Sequence, residues 1–228
     1  MVFFTSVFAA VLAALCAFAV PAGTTDLSNS TRTRTPISEG MHDGFFYSWW
    51  TDGGASATYT NGPKGQFSVT WDNGGSLLGG KGWKPGSRTR VLAYTGTFNS
   101  TGDSYLAVHG WTQNPLVEYY IVEHFGGPSN PFIGAINKGS ITVDGSMYDM
   151  GVRTRVNQIS IDGPGSTFQQ FWSVRRSKRS SGTVDLRAHF RAWEGAGMRL
   201  GAGHYYQVLV CEGWFSSGSC NMTVSDVN

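Results

Sequence analysis

A chain of 228 residues with a formal net charge of +2 is too weakly charged for a nucleic-acid binder, and it is long enough for one well-buried domain. Charged residues make up only 14% while 31 residues are glycine and 14% are aromatic, so the polar work falls to Ser, Thr, Asn and Gln, as suits a sheet protein that handles neutral polymers. No His or Cys spacing resembles a metal site and no Gly-rich stretch sits between a strand and a helix, so no metal and no cofactor are expected.

The chain opens on an apolar run from Val2 to Val20, followed by Pro21-Ala22-Gly23. This predicts a secretory signal peptide over residues 1–22, and therefore an extracellular protein free of the membrane once the signal is removed. Residues 23–41 are rich in Thr, Ser and Arg without apolar periodicity and predict a flexible or propeptide-like lead-in. The folded domain is then expected over residues 42–228, as a monomer with no separate binding module.

From Phe45 onward, short runs of Val, Ile, Thr, Tyr, Phe and Trp alternate with Gly, Asn, Asp, Ser and Pro. They predict strands at Phe46 to Trp50, Ala55 to Tyr59, Gln66 to Trp71, Arg90 to Phe98, Ser104 to Thr112, Val117 to His124 and Gly139 to Val143. Further strands are expected at Ser146 to Asn157, Thr167 to Arg175, His204 to Trp214 and Asn221 to Val224. One helix is predicted over Val184 to Met198, where Phe190, Trp193 and Ala196 fall near a three-residue spacing and Gly195 and Gly197 can end it. The architecture this implies is all-β, a two-sheet sandwich or jelly roll, with the helix on the back of a sheet. The basic cluster Arg175-Arg-Ser-Lys-Arg179 is expected to decorate a strand end or turn.

Strand parity sorts the side chains by face. Tyr105, Ala107, His109 and Trp111 share one; Glu118, Tyr120 and Val122 share another; Tyr206, Val208, Val210, Glu212 and Trp214 share a third. Cys211 must then face away from Glu212. With Cys16 in the signal segment, Cys211 and Cys220 are either a disulfide closing a short loop or two unpaired buried thiols. The sequons at Asn29, Asn99 and Asn221 fit a secreted protein.

Glu118 lies in Pro115-Leu-Val-Glu-Tyr-Tyr120 and Glu212 in Tyr206-Gln-Val-Leu-Val-Cys-Glu-Gly-Trp214. A carboxylate in a β-branched and aromatic strand is costly to bury without a partner or a purpose. Two of them, on strands lying side by side over one cleft, would have the equipment for glycoside hydrolysis, one as acid and one as nucleophile.

At these strands the sequence resembles the glycoside hydrolase family 11 endo-β-1,4-xylanases, from about Phe45 to Val224. Pro115-Leu-Val-Glu-Tyr-Tyr120 and Glu212-Gly-Trp-Phe-Ser-Ser-Gly-Ser219 are similar to its two signature segments. Trp50-Thr-Asp-Gly-Gly54, Gly80-Lys-Gly-Trp83, Ser160-Ile-Asp-Gly163 and Gln170-Phe-Trp-Ser-Val-Arg175 follow in the family's order. The resemblance implies a curved jelly roll whose concave face is a xylan cleft, with a thumb hairpin at Asn157 to Thr167. It implies Glu118 as nucleophile and Glu212 as general acid/base of a double displacement that retains configuration, with carboxyls about 5 to 5.5 Å apart. It further implies Tyr120 and Tyr206 as supports of substrate and carboxylates, Trp50 as the sugar platform, and Arg155 and Gln170 as polar cleft residues.

Three positions depart from the family's pattern. His109 stands where the family has a tyrosine that bonds the nucleophile, which predicts reduced turnover or a shifted pH profile, because a protonated imidazole would oppose an oxocarbenium-like transition state. Ser76 stands where Asn or Asp is usual beside the acid/base, and Ile159 where the thumb usually begins with proline. The competing expectations are a catalytically impaired xylan-binding or interaction protein, for which His109 is the motive, and a β-glucanase on a similar jelly roll.

Overall fold

The computed structural model describes residues 35–128 and 130–227. The expected signal peptide lies outside the described residues. In chain order the elements are β1 (Ser38–His42), β2 (Phe45–Thr51), β3 (Ser56–Asn61), β4 (Gln66–Asp72), β5 (Ser76–Trp83), β6 (Val91–Ser100), β7 (Ser104–Gln113) and β8 (Val117–Gly126). They continue as β9 (Ile136–Val143), β10 (Ser146–Ser160), β11 (Gly163–Arg175), β12 (Gly182–Asp185), α1 (Leu186–Gly195), β13 (Gly203–Trp214) and β14 (Gly218–Asp226).

The strands form two sheets, one ordered β1-β2-β5-β13-β7-β8-β11-β10-β9 and the other β12-β6-β14-β4-β3. Pairings are antiparallel except that of β8 with β11. This is the two-sheet jelly roll, with a single helix among the described residues. The alternation read from the sequence sorts the large sheet's side chains into two apolar clusters. One, with Trp49, Leu106, Val108, Tyr119, Ile121, Leu209 and Cys211, fills the space between the sheets. The other, with Phe46, Tyr105, Trp111, Tyr120, Trp172 and Tyr206, lines the opposite, concave face. A long β10–β11 hairpin crosses that face, and Gln113 at the end of β7 donates to Asp162 at the hairpin's turn, at 2.7 Å.

Four sequence expectations need correction. The lead-in expected up to residue 41 is structured at its end: β1 pairs along β2, and Thr35 exchanges hydrogen bonds with Ala57 and Tyr59 of β3. Backbone pairing at a sheet edge asks little of side-chain hydrophobicity, so Ser-Glu-Gly-Met-His carries no strand signal. Strand β5 was hidden by its glycines. There a side chain at Gly80 or Gly82 would run into the carbonyl oxygens of Leu209 and Gln207 on β13, so close strand approach overrides propensity. The helix is shorter than predicted, because Asp185 caps it by accepting from Ala188 N at 3.2 Å and leaves Val184 to pair with Leu92 in β12.

The basic cluster does more than decorate a strand end. Arg179 Nε lies 2.5 Å from Oε2 of Glu123, a fully buried carboxylate that also accepts from the Tyr94 and Tyr148 hydroxyls at 2.6 Å. Arg175 donates to the Tyr148 hydroxyl at 2.7 Å. A buried charge survives only when so partnered.

Cys211 and Cys220 form a disulfide that ties β13 of the large sheet to β14 of the small one, on the side of β13 opposite Glu212. With nine residues of separation the closed loop constrains the unfolded chain modestly, so Cys211→Ala/Cys220→Ala is expected to lower unfolding free energy by about 2–3 kcal/mol. Urea titration of the double variant measures this, and activity at 25 °C should be unchanged.

Candidate active site

The concave face can be read as cross-strand rows. One runs Trp50–Leu78–Glu212–Tyr105, across β2, β5, β13 and β7. Another runs Phe46–Gly82–Val208–His109–Tyr120–Trp172. A third runs Tyr206–Trp111–Glu118–Gln170–Arg153. The carboxylate-bearing strands β8 and β13 are therefore not side by side, as the sequence reading supposed. Strand β7 lies between them and presents His109.

Glu118 is buried, with 8% of its surface exposed, and its carboxylate is fully engaged. Oε1 receives His109 Nε2 at 2.9 Å and the Tyr120 hydroxyl at 3.3 Å, while Oε2 receives Gln170 Nε2 at 2.6 Å. Three donors on one carboxyl match an acceptor-only, ionised group. When His109 donates through Nε2, its Nδ1 is left to accept from the Tyr206 hydroxyl, 3.5 Å away. A relay Tyr206–His109–Glu118 thus replaces a single phenol.

Glu212 is held in the opposite condition. Burial first, and then the charge of Glu118, push its pKa up to about 8, against the smaller lowering effects of the Tyr120 hydroxyl and Arg155. Its Oε2 is out of contact with solvent and has no protein partner, although the residue as a whole is partly exposed to the cleft. The same burial and the Glu118 charge drive the Tyr120 and Tyr206 phenols far above their ordinary range, so both stay protonated donors. One face therefore carries an ionised carboxylate and a carboxyl that keeps its proton at neutral pH, the division of labour that acid and nucleophile require.

Trp50 is half-buried at the end of the Glu212 row, with Leu78 between them. Arg155 rises on the thumb strand β10, close enough to act on Glu212 electrostatically, and donates to Gln158 at 3.2 Å. Ser76 falls opposite Trp214, one row from Glu212, and its backbone N–H is held by Asp52 Oδ2 at 2.9 Å. Its side chain makes no hydrogen bond to Glu212, and the residue opposite Glu212 is Leu78. Ile159 is exposed at the hairpin entry.

Sequence reasoning assigned no role to Trp111 or Arg153. Trp111 stands opposite Glu118 with Phe168 packed on it at 4.8 Å, and Arg153 sits 5.2 Å from the Trp172 ring while donating to the Pro131 carbonyl at 3.0 Å. The parity that put Trp111 on the His109 face was a usable signal for it; Arg153 had none.

Comparison with known proteins agrees with this geometry. The chain is 56% identical over 225 residues to "Endo-1,4-beta-xylanase I" of Cochliobolus carbonum, covering 99% of each chain. It is 54% identical over 228 residues to "Endo-1,4-beta-xylanase" of Thermomyces lanuginosus, covering 100% of each. To "Ethylene-inducing xylanase 3" of Verticillium longisporum it is 56% identical over 225 residues, 99% of this chain and 76% of the relative. Residues 42–223 match the family model described as Glycosyl hydrolases family 11, and with Glu118 and Glu212 facing one concave sheet the chain belongs to that family.

Proposed function

We infer that the protein is a secreted, monomeric endo-1,4-β-xylanase that hydrolyses internal links of xylan with retention, needing no cofactor. The observation that carries the reading is the asymmetry between two carboxyls on one face, Glu118 saturated with donors and Glu212 held protonated up to about pH 8. The extracellular setting rests on the apolar segment Val2 to Val20 and on the disulfide.

In the first step a xylose ring stacks on Trp50, Glu118 attacks the anomeric carbon and Glu212 gives its proton to the departing glycosidic oxygen. Glu118 becomes an ester and loses its charge. One of the two causes that raise the Glu212 pKa then disappears, so the Glu212 carboxylate can take a proton from a water whose oxygen attacks the same carbon, breaking the ester bond and releasing Glu118 as a carboxylate. Two inversions at one centre give retention. Tyr120 and Tyr206 support substrate and carboxylates, while Gln170 and Arg155 hold the cleft's polarity.

The test is reducing-sugar release from soluble xylan across pH 3 to 9, with product anomer followed by proton NMR. Xylan hydrolysis giving β-product first, with an alkaline limb near pH 8 from loss of the Glu212 proton, is the expected result. Preference for cellulose or mixed-linkage glucan would overturn the substrate, and xylan binding without hydrolysis would overturn the activity.

His109 sets a further expectation. An imidazole that gains a proton places a positive charge against Glu118 and near the developing oxocarbenium, whereas a phenol supplies the donor without the charge. His109→Tyr should raise kcat by roughly three- to tenfold, on the scale of one hydrogen bond. Identical pH–rate profiles for the two proteins would exclude a catalytic cost of the histidine.

A further inference from the structure

We propose that Trp172 is a positioning residue for the nucleophile, fixing through its indole N–H and its ring face two of the three donors that Glu118 receives; this rests on the reaction inferred above. Trp172 is 3% exposed, packed within the apolar cluster of the concave face. Its Nε1 donates to Gln170 Oε1 at 3.2 Å, and Gln170 Nε2 donates to Glu118 Oε2 at 2.6 Å. Indole is a donor only and an ionised carboxylate an acceptor only, so the amide between them has one satisfactory orientation. Turned over, it would set its NH₂ against the indole N–H and its oxygen against the carboxylate.

The same ring stacks on Tyr120, with centroids 4.6 Å apart and planes 8° from parallel. Tyr120 is the phenol that donates to Glu118 Oε1 at 3.3 Å. Trp172 is itself held from other sides, by the Tyr105 edge at 5.8 Å and by the Arg153 guanidinium at 5.2 Å. Arg153 also binds the Pro131 and Ile133 carbonyls of the β8–β9 loop. The aim of the nucleophile is thus set from a buried side chain one step behind it, on the strand that also carries the thumb.

The experiment is a double-mutant cycle of Trp172→Phe and Gln170→Ala, measured as kcat and KM on an aryl β-xylobioside. Phenylalanine keeps an aromatic ring beside Tyr120 while removing the N–H together with the five-membered half of the indole. With Gln170 present, Trp172→Phe is expected to lower kcat about three- to tenfold with KM unchanged; in the Gln170→Ala background the effect should shrink to the part carried by the stack on Tyr120. Equal losses in both backgrounds would make Trp172 simple packing and overturn the proposal. Because a buried Trp variant can fail to fold, the second arm uses Gln170→Met, read by NMR of the Trp172 indole proton. Loss of its downfield shift and exchange protection is expected, and an unchanged resonance would overturn the proposal. Wild-type protein inactive on every glycoside would refute the inferred reaction instead, and the NMR arm would still judge the positioning.

Discussion

Glu118→Gln should lower kcat on xylan by about 10⁴-fold or more, the scale on which an enzyme loses its nucleophile. The variant also tests the electrostatics of the pair. Removing the Glu118 charge withdraws the second of the two causes that raise Glu212, so Glu212 should titrate below about 8 while burial keeps it above an ordinary carboxyl. Carbon-13 NMR of Glu212 measures this, and an unmoved titration would mean that the two groups do not feel each other. Some stability is lost as well: the donors from His109, Tyr120 and Gln170 surround both oxygens, and an amide NH₂ in either place meets a donor. That mismatch costs about 1–3 kcal/mol, readable by thermal unfolding.

Glu212→Gln should divide activity from stability. Without a proton to give, kcat on xylan should fall about 10²–10⁴-fold, and far less on an aryl xyloside whose leaving group departs unaided. Stability moves the other way. The folded state holds the Glu212 proton up to about pH 8, whereas the unfolded carboxyl releases it near its ordinary 4.5. The native protein's advantage at this residue is therefore present below pH 4.5 and is lost as pH rises toward 8. Glutamine should be nearly neutral at pH 4 and more stable than wild type at pH 9, by roughly 2–4 kcal/mol once partial exposure of the residue is allowed for. Thermal unfolding at the two pH values decides it, and equal midpoint differences at both would refute a buried protonated Glu212.

Much of this was legible in the chain because one face of each strand repeats every second residue. Tyr105 with His109 and Trp111, Glu118 with Tyr120, and Tyr206 with Glu212 each declare a common strand face by spacing, and strand pairing brings the three faces together. What spacing cannot express is strand order: nothing between Glu118 and Glu212 announces that β7 will lie between their strands and place His109 there. Nor do propensities register a strand made of Gly79, Gly80 and Gly82, whose place is set by how closely β13 approaches. The pairing of Glu123 with Arg179 joins residues far apart in sequence and shows only once β8 and the loop after β11 meet. At Ser76 the family's pattern was readable in the chain, whereas the residue's place opposite Trp214 and diagonal to Glu212 comes from the strand register.

Thr35 gives the molecule a seam. Its backbone N–H and hydroxyl are fastened to β3, the outermost strand of the small sheet, while three residues later the chain becomes β1, the outermost strand of the large one. Its carbonyl also accepts from Trp49 Nε1 at 2.9 Å, in the core. A single short stretch thus stitches two raw margins together on one side of the sandwich. Cutting that stretch would open both margins at once, and a pull applied to it would unzip the protein from its hem inward.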